Sequence, residues 1–301
     1  MEKRTILNTE NIEMRFGGLY ALKNVNINVY ENEILGMIGP NGSGKTTFFN
    51  VITGFYKPTG GNFYFLGERL TGKEPYEIMV RGISRTYQTS RVCFDLTVLD
   101  NILIGTHFVQ KSRYFDALIN RKKLYKEVEF YKEKAVHLIK IFNPELVNKL
   151  YVRVGSLPFI DRRRVEISRA MISEPKLILL DEPSAGMNAD ETMELMDDIR
   201  KVRSEMKNAT IFIIEHDMKV ISTVTERVYA LNFGQVIAEG TYEEVSNNID
   251  VKEAYFGKEL NNENRFAAWD EKCNNCLWEF KNVNWCFYWN WKRKMYIPSW
   301  K

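Results

Sequence analysis

The chain has 301 residues, 45% hydrophobic and 27% charged, with a formal net charge of +3. That length buries a full-size core in one large domain or two small ones, and so small a charge makes no electrostatic case for nucleic acid as the main partner. No apolar run approaches the roughly 18–20 residues that span a bilayer, and the opening MEKRTILNTE lacks the apolar stretch of a signal peptide, so a membrane role is expected only through a partner, from the cytoplasmic side.

Residues 5–14 and 21–30 read as strands around a Gly17-Gly18 turn. Ile34–Ile38 is a short apolar run that leads into a glycine loop and the helix-compatible TTFFNVIT. The stretch 58–70 predicts a turn and then an edge strand. From about 98 to 142 the pattern is helical, with Leu124, Val128, Tyr131, Ala135, Leu138 and Phe142 at three- and four-residue steps. A helix over 162–172, a strand at Leu177–Leu180, a helix near 190–206, a strand at 210–214, a helix near 217–224 and the hairpin RVYALNFGQVIAEG follow. Alternating strands and helices predict a largely parallel sheet covered on both faces. The block at about 89–157 reads as a helical subdomain inserted into it. Every Trp (Trp269, Trp278, Trp285, Trp289, Trp291, Trp300) and three of the four Cys follow Arg265. A boundary is therefore expected near 258, between a body at 1–257 and a tail at 258–301.

Three segments carry chemistry. Gly39, Pro40, Asn41, Gly42, Ser43, Gly44, Lys45 and Thr46 match G-x-x-x-x-G-K-[ST] in full. Glycines let several amide N–H groups point at phosphates, and the following helix adds the positive end of its dipole. Lys45 would reach the β- and γ-phosphates and the Thr46 hydroxyl would hold Mg²⁺. In Leu177–Leu180 followed by Asp181, Glu182 and Pro183, an apolar strand delivers two carboxylates to its carboxyl end, where open parallel sheets bind ligands. Asp181 would support Mg²⁺, and Glu182 would be the general base for the attacking water. In Ile211–Ile214 followed by Glu215 and His216, a second apolar strand ends in a histidine placed to sense a γ-phosphate.

The order of phosphate loop, Gln88, Asp-Glu-Pro and His216 resembles the nucleotide-binding domain of ABC transporters over about 5–257. More narrowly it is similar to the larger ATP-binding subunit of branched-chain amino acid importers, through RFGGLYALKNVN, GISRTYQTSRVCFDLTVLDNILIG, RRVEISRAM, DEPSAGMNADET and NFGQVIAEGTYEEV. The resemblance implies an α/β phosphate-loop NTPase core with an antiparallel edge sheet and the inserted helical subdomain. It implies ATP hydrolysis with Mg²⁺, membrane permease subunits and a second ATP-binding subunit as partners, and peripheral attachment to the cytoplasmic face of the membrane. By position, Phe16 would stack on the adenine, and Thr47 would join the loop residues Gly39–Thr46 around the nucleotide. Gln88 would sense Mg²⁺ and the attacking water, and Ser184–Asn188 would touch the opposite subunit. The metal set on this reading is Thr46, Gln88 and Asp181; the catalytic set is Lys45, Gln88, Glu182 and His216.

Two departures stand out. The family's signature, usually LSGGQ, reads here Leu157, Pro158, Phe159, Ile160 and Asp161. Ile160 replaces a glycine whose amide must approach a phosphate on the opposite subunit, so its branched side chain is expected to crowd the ligand and strain the backbone. Asp161 would bring a negative charge to the same place. Two readings stay open: a slow ATP site opposite this segment, or a tolerated substitution. The tail WEFKNVNWCFYWNWKRKMYIPSW is the other departure. It repeats KNVN and continues no family pattern. Membrane contact through Trp and basic residues, a metal at Cys273, Cys276 and Cys286 lacking a fourth ligand, and an extension without a role are its candidate readings. Two rival functions are a soluble regulator of translation or DNA repair and a non-hydrolysing regulatory subunit. A GTPase is disfavoured, because Asn148-Lys149 is followed by Leu150-Tyr151 and no N-K-x-D follows the loop.

Overall fold

Three central strands set the architecture. β4 (Ile34–Ile38), β8 (Leu177–Asp181) and β9 (Thr210–Ile214) are buried at every residue. Strands covered on both faces read as continuous apolar runs, which is why these segments carry no polar alternation. A computed structural model describes residues 3–110, 121–206 and 209–256. Among these, β7 (Ile83–Arg85), β10 (Arg227–Asn232) and β11 (Gln235–Gly240) complete a six-stranded sheet in the order β11-β10-β4-β9-β8-β7. It is parallel except for the β10–β11 hairpin. A second, antiparallel sheet contains β1 (Thr5–Phe16), β2 (Leu19–Val25), β3 (Asn28–Tyr30), β5 (Gly60–Phe65) and β6 (Glu68–Arg69). The phosphate-loop α/β fold class expected from sequence is the one observed.

Alternation along each central strand divides the interior in two. Ile34, Ile38, Ile178, Leu180, Ile211 and Ile213 face one core, with α3 (Val98–Ile104), α4 (Arg121–Phe142), α5 (Phe159–Met171), α6 (Ala189–Glu205) and α7 (Met218–Val224). Leu35, Met37, Leu177, Leu179, Phe212 and Ile214 face the other, with α1 (Lys45–Ile52) and the antiparallel sheet. Phe48 and Phe49 of α1 meet Phe212 edge to face, at 6.2 and 5.1 Å between centroids. Each such buried ring contributes roughly 2–3 kcal/mol of transfer free energy, which anchors α1 and the loop ahead of it.

Several expectations need correction. The strand at 58–70 is not a single edge strand: β5 pairs with β1 on one side and β6 on the other, and only the short β6 lies at the edge. The apolar stripe of α4 is buried at Tyr131, Ala135, Leu138 and Phe142, whereas Val128 is exposed, because the core reaches only the later turns. α2 (Pro75–Val80), β7, and the terminal α8 (Tyr242–Asn247) and α9 (Ile249–Phe256) were not anticipated. They run from three to eight residues, too short to display a period. The Trp-rich tail, with Cys273, Cys276 and Cys286, lies outside the described residues. No helix among the described residues is long and apolar enough to cross a membrane.

Candidate functional site

The sheet order brings three strand ends together, because β4, β9 and β8 are parallel neighbours. The chain leaves β4 at Gly39, where φ is 152° and a Cβ would lie 2.2 Å from the Leu231 carbonyl oxygen. Only glycine fits there. The loop is then pinned from outside: Gly234 N–H donates to Ser43 O at 2.9 Å, and Lys23 N–H to Gly234 O at 2.8 Å. Gly44 turns the chain through φ 108° into α1, and no side chain caps that helix. Its first amide groups are thereby left for a ligand at the positive end of the dipole. Lys45 is buried, and its Nζ folds back to donate to Gly39 O at 2.7 Å and Pro40 O at 3.1 Å. Burial pulls its ammonium below the ordinary pKa, against the opposing pull of Glu182 and Asp181.

At the end of β8, Asp181 is buried and its two oxygens differ. Oδ2 accepts from Arg85 at 2.6 Å, while Oδ1 has no partner. Arg85 also donates to Asn50 Oδ1 at 2.7 Å and Thr53 Oγ1 at 3.2 Å, and so ties the carboxylate to α1. An unpartnered carboxylate oxygen in a buried position, with the Thr46 hydroxyl in the first turn of α1, is an oxygen set suited to a hard cation such as Mg²⁺. Glu182 has φ 46°, a left-handed conformation that a side chain of this size adopts at a cost of about 1–3 kcal/mol. Its N–H donates to Ile214 O at 2.9 Å, which holds the turn. Its Oε2 accepts from Gln88 Nε2 at 2.7 Å. The strain aims a carboxylate out of the sheet toward the loop that carries Gln88.

At the end of β9, Glu215 is fully buried and accepts from Ser184 N–H at 2.9 Å and Ser184 Oγ at 2.7 Å. Burial pushes its carboxyl above the usual pKa, partly offset by these two donors. Its other oxygen stands 3.7 Å from His216 Nδ1. Glu215 therefore couples the turn after Glu182 to the backbone that presents His216.

These groups open onto a cleft of about 770 Å³. Its lining includes Asn41, Gly42, Ser43 and Gly44 from the loop, Lys45, Thr46 and Thr47 from the first turn of α1, Gln88 from the loop after β7, and Glu182 and His216 from beyond β8 and β9. Asp181, Gly39 and Pro40 are not in this lining. Phe16 is not in the lining: its ring meets Tyr56 edge to face at 5.4 Å. The hairpin instead supplies Leu19, Tyr20 and Lys23, and the β10–β11 turn supplies Phe233. Arg15 pairs with Tyr20 across the hairpin and its guanidinium covers the Tyr20 ring at 4.4 Å, while Phe16 and Leu19 close the tip. Arg85, Glu215, Tyr20 and Phe233 had no assigned role from sequence. Only Glu215, at the end of an apolar strand, carried a visible signal.

The opening of α5 departs from expectation. Ile160 is helical, is absent from the residues with positive φ, and is only 7% exposed. The expected backbone strain does not arise, because this position needs no left-handed geometry. Asp161 is also turned inward. Its Oδ1 accepts from Arg164 at 2.9 Å and Asn143 Nδ2 at 3.4 Å. Arg164 in turn binds Asp198 and Glu194, each at 2.6 Å. The Asp161 charge is neutralised inside this network rather than displayed at the helix end. Ser184 likewise points inward to Glu215, and Asn188 caps α6 by accepting from Glu191 N–H at 2.9 Å.

Comparison with known proteins agrees with this geometry. Residues 22–185 match the ABC transporter family, and residues 235–260 match the branched-chain amino acid ATP-binding cassette transporter family. The chain is 40% identical over 254 residues to the high-affinity branched-chain amino acid transport ATP-binding protein LivG of Escherichia coli (strain K12), covering 84% of this chain and 98% of LivG. It superposes on the ADP conformation of MJ1267, an ATP-binding cassette of an ABC transporter, with a TM-score of 0.72 and 33% identity over 84% of this chain and 99% of that one. The dimeric post-hydrolysis cassette MJ0796, bound to ADP and Pi, matches with a TM-score of 0.64 and 25% identity over 79% of this chain and 99% of that one. With its phosphate loop, paired carboxylates and histidine gathered at the carboxyl ends of the central strands, the chain belongs to the ABC transporter family, as an ATP-hydrolysing cassette.

Proposed function

We propose that this chain is the ATPase subunit of an importer for branched-chain amino acids, attached to the cytoplasmic face of the membrane through permease subunits. The substrate class is supported by the 40% identity to LivG and by the match at 235–260. Residues 1–257 would form the nucleotide-binding domain, with the helical subdomain at about 89–157 inserted within it; the tail at 258–301 would lie outside it.

The observation that carries the mechanism is Glu182, held in a left-handed turn and bonded to Gln88 across the cleft from Lys45. The loop amides and Lys45 receive the phosphates, Lys45 exchanging its loop carbonyls for phosphate oxygens. Thr46 and the free Asp181 Oδ1 would hold Mg²⁺, which supplies charge neutralisation at the phosphates. Gln88 orients water beside Glu182. As the water oxygen bonds to the γ-phosphorus, Glu182 takes the proton and the bond to the β–γ bridging oxygen breaks. His216 faces the γ-phosphate end. The rings available to the adenine are Tyr20 and Phe233 in the wall and Phe16 at the hairpin tip.

The chain would pair with a second ATP-binding subunit, as the MJ0796 cassette pairs in its dimer. The segment Leu157–Asp161 would then face the partner's nucleotide. The family's glycine is missing at Ile160, and this absence, rather than strain or displayed charge, would slow turnover at that site while the site built on Lys45 and Glu182 works normally. The deciding experiment is ATP hydrolysis by the assembled transporter, native against Glu182→Gln. A fall of about 10²–10⁴-fold with ATP binding retained is expected. Unchanged turnover would make the chain a regulatory ATP binder.

A further inference from the structure

Helix α5 also acts on the site from behind, through a face that never touches the cleft. Arg163 has a fully enclosed side chain and pairs with Glu166, one turn on, at 2.9 Å. Its remaining donors reach main-chain carbonyls of two other segments. NH1 donates to Tyr87 O at 3.0 Å, and NH2 to Gln88 O at 3.2 Å and to Glu182 O at 3.5 Å. Glu166 Oε1 accepts from Arg91 N–H at 3.4 Å, and Arg169 donates to Arg91 O at 2.8 Å. Residues 163, 166 and 169, three apart along one helix face, thus grip the backbone of the 87–91 loop, and Arg163 reaches Glu182 as well.

The arrangement is costly for a purely structural tie. Arg163 Nε has no partner, and a buried ion pair is often no more stabilising than a well-packed apolar pair of the same volume. What the guanidinium supplies is geometry. A rigid fork joins the carbonyls of the two residues whose side chains form the Gln88–Glu182 bond. We infer that Arg163, oriented by Glu166, is a positioning residue for ATP hydrolysis. It sets Gln88 and Glu182 relative to each other and to the opening of α5, so a displacement of α5 reaches the water-activating pair. This rests on the reading of Glu182 as the base.

The test uses the full chain in its assembled transporter and measures kcat, KM and, separately, binding of a fluorescent ATP analogue. Arg163→Lys keeps the charge beside Glu166 but cannot span three carbonyls. The double variant Arg163→Met with Glu166→Met removes the contacts without leaving an orphaned charge. Each is expected to lower kcat between about tenfold and 100-fold with ATP affinity unchanged. Arg163→Lys should add nothing to the loss caused by Gln88→Ala, since both act on one unit. Native kcat in either folded variant, a loss confined to ATP affinity, or full additivity with Gln88→Ala overturns the inference. If one variant does not fold, the other decides. Glu182→Gln run alongside separates the two claims. If it retains turnover, the base assignment is wrong; if it abolishes turnover while Arg163→Lys is native, only the role of Arg163 falls.

Discussion

The phosphate loop and the opening of α5 are both turns into a helix N-terminus, yet they are built in opposite ways. At the loop, glycines bring bare backbone against Leu231 and Ala21, no side chain caps α1, and Lys45 rests on carbonyls it can leave. At α5, Ile160 is packed inward, and Asp161 is locked to Arg164 within a network that includes Asp198. The first end keeps donors free for an anion. The second spends its charges on its own interior. A chain built this way is complete as a phosphate binder on one side and reinforced, rather than exposed, on the other.

That contrast can be tested from its largest effect downward. Arg164→Met should destabilise the fold by about 3–5 kcal/mol, because Asp161 and Asp198 would be left buried without their partner. Chemical denaturation would measure the loss, and ATP affinity of the folded fraction should stay native. A loss of affinity instead would mean that the α5 network supports the phosphate loop directly. Ile160→Gly should cost roughly 3 kcal/mol through the lost side chain and the poor helix former. In the assembled transporter it should nevertheless raise turnover at the site facing α5, read by comparing both sites in single-turnover experiments. A destabilised protein with unchanged turnover would remove Ile160 as the limiting feature.

Lys45→Ala should weaken ATP binding by about 100-fold, equivalent to ~2.7 kcal/mol, through loss of charge-assisted contacts. Its apo stability should hardly change, since the native ammonium is itself penalised by burial. Titration with ATP and thermal unfolding together distinguish this from a collapsed loop. The smallest effect is pH-dependent. Burial raises the folded-state pKa of Glu215, so the folded protein holds that proton longer than the unfolded chain as pH rises above the ordinary carboxylate range. Native stability therefore falls with pH through that window. Glu215→Gln lacks this loss, and its melting temperature relative to native should rise with pH, on the order of 2 °C. A flat difference would place no titration at Glu215.

The parts legible in the sequence are those with local cause. Buried central strands read as Ile34–Ile38, Leu177–Leu180 and Ile211–Ile214 because both faces are covered. The phosphate loop read as a loop because its glycine spacing has a steric reason at each turn, and Gly39 has no room for a Cβ. The expectation for Ile160 missed because spacing showed a lost glycine but not whether that position needs a left-handed backbone. Phe16 lies outside the cleft lining with its ring against Tyr56, a packing contact that residue type and spacing do not encode.

By itself the sequence determined the phosphate loop and placed two carboxylates and a histidine just after apolar strands, since each follows from residue type and spacing within a few positions; the fold class was legible from the alternation of strands and helices along the chain together with the family resemblance. Only the tertiary structure decided which Asp181 oxygen is left free, that Asp161 is spent on Arg164, and that Arg163 grips the carbonyls of Gln88 and Glu182. Those contacts join residues far apart along the chain, and their partners are chosen by packing around a buried charge, which no local pattern encodes.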